Sequence, residues 1–348
     1  MTQVRGIQNI VRLGTCAALA GLLLPAAAMA QKADEFYKGK TVNVVVGYAP
    51  GGGYDIYARL MARHINKHIP GNPTIVVQNM PGAATLTATN YVYNIAPQDG
   101  TVIGAVDQNI PMYELLNGKG VRYASAKFGW LGSLSSANGV TIAWSATGIK
   151  NLDQVKQRKV TIGTTGNNDD AYIYALSLNE LAGTQFQTIQ GYAGTSNVNL
   201  ALEKGEVEAM GRSNFYGFRS QKPDWLRDNK VNILAQIGLE KQPELPDVPL
   251  LLDLAKAGRD KEVATLVSIP PSIGYTYFVG PNVPADRRAA LEDAFTKMTT
   301  DREMLDDARN INAEIRPKSG KEIVAVIARA QTISESARQH TAKFLGWD

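Results

Sequence analysis

Apolar and polar positions along the chain alternate between two rhythms. Val42–Val46 is a continuous β-branched run and reads as a buried strand; beyond three glycines, Ile56–Ile69 carries apolar residues at helical spacing and is stopped by "PGNP". Thr74–Val77 gives a second strand, "QNMPGAAT" leads into a small-residue helix to about Asn94, and "PQDGTVIGAV" gives a turn and a third strand. That βαβαβ order predicts a parallel sheet flanked by helices. The rhythm breaks at "FGWLGSLSSANGVTIAW", a long extended passage. It restarts with "KVTIGTTG", a helix over Asp170–Leu181 and "FQTIQGYAG", a second βαβ-like unit. "GEVEAMGRS" and "VNILAQIGL" add short strands, and "PELPDVP" is a proline-rich connector. Two helices follow, one opening at Pro284–Asp286 and one at Ser319, where Ser319 and Glu322 have the spacing of a capping box. The expected fold class is α/β, in two lobes, with the chain returning to the first lobe at its end.

The first thirty residues change where this chain is expected to work. Arg5 and Arg12 precede an apolar run, Leu13 to Ala28, and small residues at Ala28 and Ala30 mark a cleavage site after Ala30, so residues 1–30 read as a signal peptide. The apolar run is too short for a comfortable membrane span. Cys16, the only cysteine, falls inside the leader in a poor setting for acylation, so the exported chain has no thiol, disulfide or sulfur ligand, which suits a periplasm. Losing the leader removes two arginines and no acids, taking the formal charge from +4 to +2. That is no footprint for nucleic acid.

The candidate chemistry lies in the turns. Gly51, Gly52 and Gly53 stand where a strand hands over to a helix, so bare backbone N–H groups and a helix N-terminus can meet an anion; the alternative is a tight turn without a ligand. Asp55 is expected to cap that helix. "TIGTTGNNDDA" repeats the arrangement, with Thr164, Thr165 and Gly166 ahead of a helix capped by Asn167, Asn168 or Asp169. A third small-residue turn, "GYAGTSN" with Gly194 and Thr195, opens a helix ending near Lys204–Gly205. Phosphate-loop, nucleophile-elbow and zinc-protease motifs do not occur. A dinucleotide site would want an acid where Gln78 and Asn79 stand. His64 and His68 share a helix face at ligand spacing, but that face also carries Leu60 and Met61, and ordinary packing or surface roles are expected; no metal or cofactor is expected. Tyr48, Tyr54, Tyr57, Tyr172 and Tyr174 either line an aromatic pocket or pack half-buried.

Several of these stretches occur together in one known family. "YAPGGGYDIYARL", "VVQNMPGAATLTATNYV", "IAPQDGTVIGAV", "GYAGTSNVNLALEKGEVEAM" and "LPDVPLLLDL" follow one another as in the periplasmic solute receptors of tripartite tricarboxylate transporters, the Bug receptors, which the chain resembles over nearly its whole exported length. The resemblance implies a type II periplasmic binding protein fold with two crossovers, residues 31–137 and 239–348 forming lobe 1 and 138–238 lobe 2. It implies a monomer that is not an enzyme, closing on a small organic acid and delivering it to the membrane subunits of the transporter; the alternatives are a receptor of the same fold for a sensor kinase and an exported enzyme acting on an anionic metabolite. Carried over, the ligand loops are Ala49–Asp55, flanked by Tyr48, and Thr164–Asp169, with Gly194 and Thr195 beside them. The second loop departs from the family's small residues by carrying Asp169 and Asp170. Either these are helix caps only, or one faces the cleft and selects a ligand bearing an amino or hydroxyl group beside its carboxylate.

Overall fold

The computed structural model describes residues 33–83, 85–116 and 118–347; the leader expected at residues 1–30, with Cys16, lies outside them. The chain first lays down β1 (Thr41–Val46), β2 (Thr74–Asn79), β3 (Val102–Ala105) and β4 (Gly129–Ser133). It then builds β5 (Gly139–Trp144), β6 (Val160–Gly163), β7 (Phe186–Ile189), β8 (Ala209–Arg212) and β9 (Val231–Ile237), and closes with β10 (Thr276–Val279) and β11 (Lys318–Ser319). These strands form two sheets, ordered β11-β4-β10-β3-β1-β2 and β7-β6-β8-β5-β9. The chain therefore crosses between sheets twice, from β4 to β5 and from β9 to β10. Two sheets joined by two crossovers are the arrangement that the resemblance implies.

The opening βαβαβ unit is parallel as its pattern predicts, β1 pairing with β2 from Thr41↔Thr74 to Val46↔Asn79 and with β3 on its other side. The sheets are mixed beyond that, because β10 returns from the second sheet and pairs antiparallel with β3 and β4. The long extended passage is β4, a crossover and β5, which belong to different sheets. The first long helix runs Gly53–His64, starting earlier than its apolar periodicity, with a short 3₁₀ turn at Asn66–His68. Its start was hard to read because Gly52 holds the N-cap position with no side-chain cap. The capping box at Ser319 is present, Glu322 accepting from Ser319 N at 2.8 Å.

The apolar cores explain how the sheets are held. One cluster is continuous from Leu86, Val92, Trp130 and Phe278 near the first sheet, through Tyr113 and Trp347, to Ile162, Ile173 and Leu178 near the second. The last helix, Glu335–Leu345, lies against the helices Arg259–Ser268 and Asp170–Ala182. Just beyond it, Trp347 meets Tyr113 edge-on at 4.6 Å and donates to Asn167 O at 3.0 Å. Burying an indole while satisfying its N–H makes this contact both apolar and directional. His64 and His68 each meet a carboxylate, Asp307 at 2.7 Å and Asp301 at 2.8 Å, and so tie the first helix to Arg302–Asn310. Among the described residues no helix is long and apolar enough to cross a membrane.

Candidate ligand-binding cleft

Three helices begin at the wall of one narrow, partly open pocket: Gly53–His64 from the first sheet, Asp170–Ala182 and Thr195–Glu203 from the second. Their N-terminal dipoles favour negative charge there, which at Asp170–Ala182 the capping carboxylate of Asp169 already meets in part. The glycine loop that leads into the first helix is shaped by close approach as much as by turning. Gly51 has φ +87°, a left-handed conformation, and its N–H donates to Asp55 Oδ2 at 2.9 Å. A Cβ on Gly53 would lie 2.3 Å from the Tyr275 hydroxyl and 2.9 Å from Gln221 Nε2. A Cβ on Gly217 would lie 2.0 Å from the same hydroxyl, so Tyr275 ends in a slot between two glycines, one beside each sheet.

That slot gives a direct prediction. Gly53→Ala is expected to cost about 1–3 kcal/mol by overpacking. Gly52→Ser is expected to keep or raise stability, since its Cβ would come no nearer than 3.7 Å to Thr195 Oγ1, its φ of −85° suits any residue, and the hydroxyl can cap the helix. Thermal denaturation of the two variants checks the contrast; equal melting temperatures would remove the slot from the account.

Acids and their partners line the other side. Asp169 is the N-cap of its helix: Oδ2 accepts from Thr165 N at 2.6 Å and Thr165 Oγ1 at 2.8 Å, and Oδ1 from Ala171 N at 3.1 Å. Asp170 reaches across between the sheets, its Oδ1 accepting from Gln108 Nε2 at 3.0 Å and Asn109 Nδ2 at 2.9 Å. Asp107 sits on the first-sheet side, accepting from the Tyr48 hydroxyl at 2.6 Å and from Asn109 N at 2.7 Å. Burial, and then Asp170 nearby, push Asp107 well above the usual carboxylate range; burial and Asp169 push Asp170 up to about 6. Burial also raises Asp169, against the hydrogen bonds from Thr165.

Arg212, the last residue of β8, faces these acids and is only 4% exposed. Its Nη1 donates to Asn199 Oδ1 and its Nη2 to Gln221 Oε1, both at 2.9 Å, while the guanidinium lies 5.1 Å from the Phe218 ring. Both acceptors are neutral amides. Desolvation pulls Arg212 down to about 10. Gly211 lets the helix of Asp170 approach, since a Cβ there would lie 2.4 Å from Ala171 Cα. Tyr48, Tyr54 and Tyr275 complete the wall, with ring centroids 5.0 and 4.9 Å apart in sequence.

A family model for the tripartite tricarboxylate transporter family receptor matches residues 57–311. The chain belongs to this family. The receptor is 27% identical over 255 residues to a Cupriavidus necator protein named for the gbd 5′ region, covering 70% of this chain and 73% of that one. Among solved structures, the periplasmic binding protein BugD is similar with a TM-score of 0.70 at 20% identity, covering 90% of this chain and 99% of that one. MatC from Rhodopseudomonas palustris, solved with bound malate, is similar with a TM-score of 0.63 at 21% identity, covering 88% and 99%. These similarities show the fold.

Of the residues read from the receptor's sequence as candidate ligand contacts, Tyr48, Gly53, Tyr54, Thr165, Asp169 and Thr195 line the pocket. Gly51, Gly52, Ala49 and Gly194 form two loops in contact, with Gly51 close to Ser196 and Gly194 close to Ala49. Asp55 does not cap its helix from the N-cap position: it lies inside the first turn and takes hydrogen bonds from Gly51 N, Arg59 and Asn79, all within its own sheet's layer. Thr164 is buried with its Oγ1 donating to Gly166 O; Asn167 offers its carbonyl to Trp347; Asn168 is buried. The tyrosines divide, Tyr48 and Tyr54 lining the pocket while Tyr57 packs at a tilt against Tyr275, Tyr172 donates to Leu345 O and Tyr174 packs over Gly139. Sequence reading missed Arg212, Asp107, Gln108, Gln221 and Tyr275. The one available signal was an arginine ending an otherwise apolar strand in "EAMGRS".

Proposed function

We propose that this receptor captures one small carboxylate-bearing solute between two lobes, residues 31–137 with 239–348 and residues 138–238. It then delivers the solute to the membrane subunits of a tripartite transporter, working as a monomer in the periplasm behind its 1–30 leader. The observation that carries this reading is Arg212, a buried guanidinium on the pocket wall whose hydrogen bonds go only to neutral amide oxygens. A cation taken out of water with no carboxylate hydrogen-bonded to it, Asp169 acting on it only through space, is costly, and a carboxylate arriving at its remaining N–H groups offsets that cost through short, charge-assisted hydrogen bonds. The three helix N-termini at the same wall act in the same direction. The malate held by the Rhodopseudomonas palustris relative supports a small organic acid as the solute class.

Binding and release are all this site is asked to do, so a bound solute is expected to be recovered unchanged. Thermal denaturation of the exported protein against mono-, di- and tricarboxylates, with sugars and nicotinamide nucleotides beside them, tests the reading. A ligand at roughly 100 times its Kd adds about 2.7 kcal/mol to stability. A shift confined to carboxylates is expected; shifts with sugars or nucleotides alone, or with nothing, would overturn it.

A further inference from the structure

We propose that the cleft selects a zwitterion, a small α-amino acid whose carboxylate meets Arg212 and whose ammonium meets Asp169 and Asp170. This rests on the reading of the pocket as a carboxylate site. Both aspartates line that pocket together with Arg212. A capping role accounts for Asp169, which spends its oxygens on Thr165 and Ala171. It does not account for Asp170, whose Oδ1 accepts from two side chains that follow β3 of the other sheet. Asp107 adds a third acid, fixed by the Tyr48 hydroxyl from the pocket wall.

Charge and hydrogen-bond capacity then point the same way. Asp169 and Asp170 line a pocket that has one guanidinium, and a plain dicarboxylate would bring two further negative charges beside them into a poorly solvated space. An α-amino acid with a neutral side chain brings no net charge, and places each of its charges against the opposite sign. The cluster is also short of donors. Asn109, 1% exposed, gives its side-chain nitrogen to Asp170, while its Oδ1 is buried with no hydrogen-bond partner. An ammonium supplies three donors and no acceptor, which suits a wall that carries Asp169 and Asp170.

Calorimetric titration of the exported protein with matched pairs decides the matter: L-alanine against propionate and L-aspartate against succinate, with ethylamine as an amine that lacks the carboxylate. The amino member of at least one pair is expected to bind tenfold or more tightly than its plain partner, and ethylamine not to bind. In Asp170→Asn that preference is expected to fall at least tenfold while the plain acid keeps or gains affinity. Asp169→Ser, which keeps a capping hydroxyl and removes the charge, is expected to act in the same direction. Plain acids binding as tightly as their amino partners would overturn the zwitterion and leave the carboxylate reading intact. Ethylamine binding, with no carboxylate bound in either form, would overturn both.

Discussion

Replacing Arg212 with methionine is expected to lower affinity for the carboxylate solute by roughly 100-fold or more. A hydrogen bond to a charged group contributes about 1.5–3 kcal/mol, and each 1.4 kcal/mol is tenfold in Kd. A bidentate grip in a desolvated pocket lies at the upper end of that range. The ligand-free protein is expected to survive the change. Methionine leaves Asn199 Oδ1 and Gln221 Oε1 without the donors they have now, at about 1–3 kcal/mol for each group that stays unsatisfied, but it also removes the desolvation that pulls Arg212 down to about 10. Arg212→Lys separates charge from geometry: an ammonium keeps the charge but is a point donor that cannot hold both amides and a carboxylate as a planar fork does. Its affinity is expected to lie between wild type and methionine. Calorimetric titration with whichever carboxylate stabilises the wild type measures all three, and an unchanged Kd in Arg212→Met would show that the solute binds through the loops alone.

What the sequence made legible was local. The strand–glycine–helix passage at Val42–Leu60, the opening βαβαβ unit and the capping box at Ser319 are written in neighbouring residues, and the structure carries all three. Tyr48 and Tyr54 could be placed near the pocket because they flank the glycine loop. Arg212 could not, because its partners Asn199 and Gln221 come from different helices and its facing acids from both sheets. The reason for Gly53 was hidden in the same way: the group that needs its missing Cβ is Tyr275, which arrives only after the second crossover. Asp55 misled by proximity, since an acid beside a helix start reads as a cap although its carboxylate turns to Gly51 N, Arg59 and Asn79. Arg302–Asn310 escaped notice because it is short and dominated by charged residues, although Met304, Leu305 and Ala308 give it a narrow apolar face against the core.

The ligand-free protein is expected to be more stable near pH 5 than at pH 7.5. Asp170 is surrounded by Asp169 and Tyr174 on its own helix, by Asp107, Gln108, Asn109, Tyr48 and Tyr54 from the first-sheet side, and by Arg212 at the end of β8. Burial and Asp169 outweigh the amide donors and lift it to about 6; burial lifts Asp107 in the same direction. A carboxyl whose folded pKa is raised holds its proton in the folded chain where the unfolded chain has lost it. Its stabilisation is therefore complete below about pH 4 and lost as pH rises through about 6. For Asp170 alone the difference amounts to about 3 kcal/mol at most. Below pH 4 the opposite class takes over: Arg63 beside Asp307 and Lys67 beside Asp301 hold those carboxyls below the usual range, so their contribution disappears as they are protonated. Melting temperatures between pH 4 and 8 should accordingly peak near 5, and Asp170→Asn, which still offers an oxygen to Gln108 and Asn109, should flatten the upper limb. A wild-type melting temperature that is level or rising from pH 5 to 7.5 would mean that Asp170 is ionised without cost in the closed cleft. An ammonium ligand should have that same levelling effect on the wild type, because it adds a counter-charge beside the ionised carboxylates.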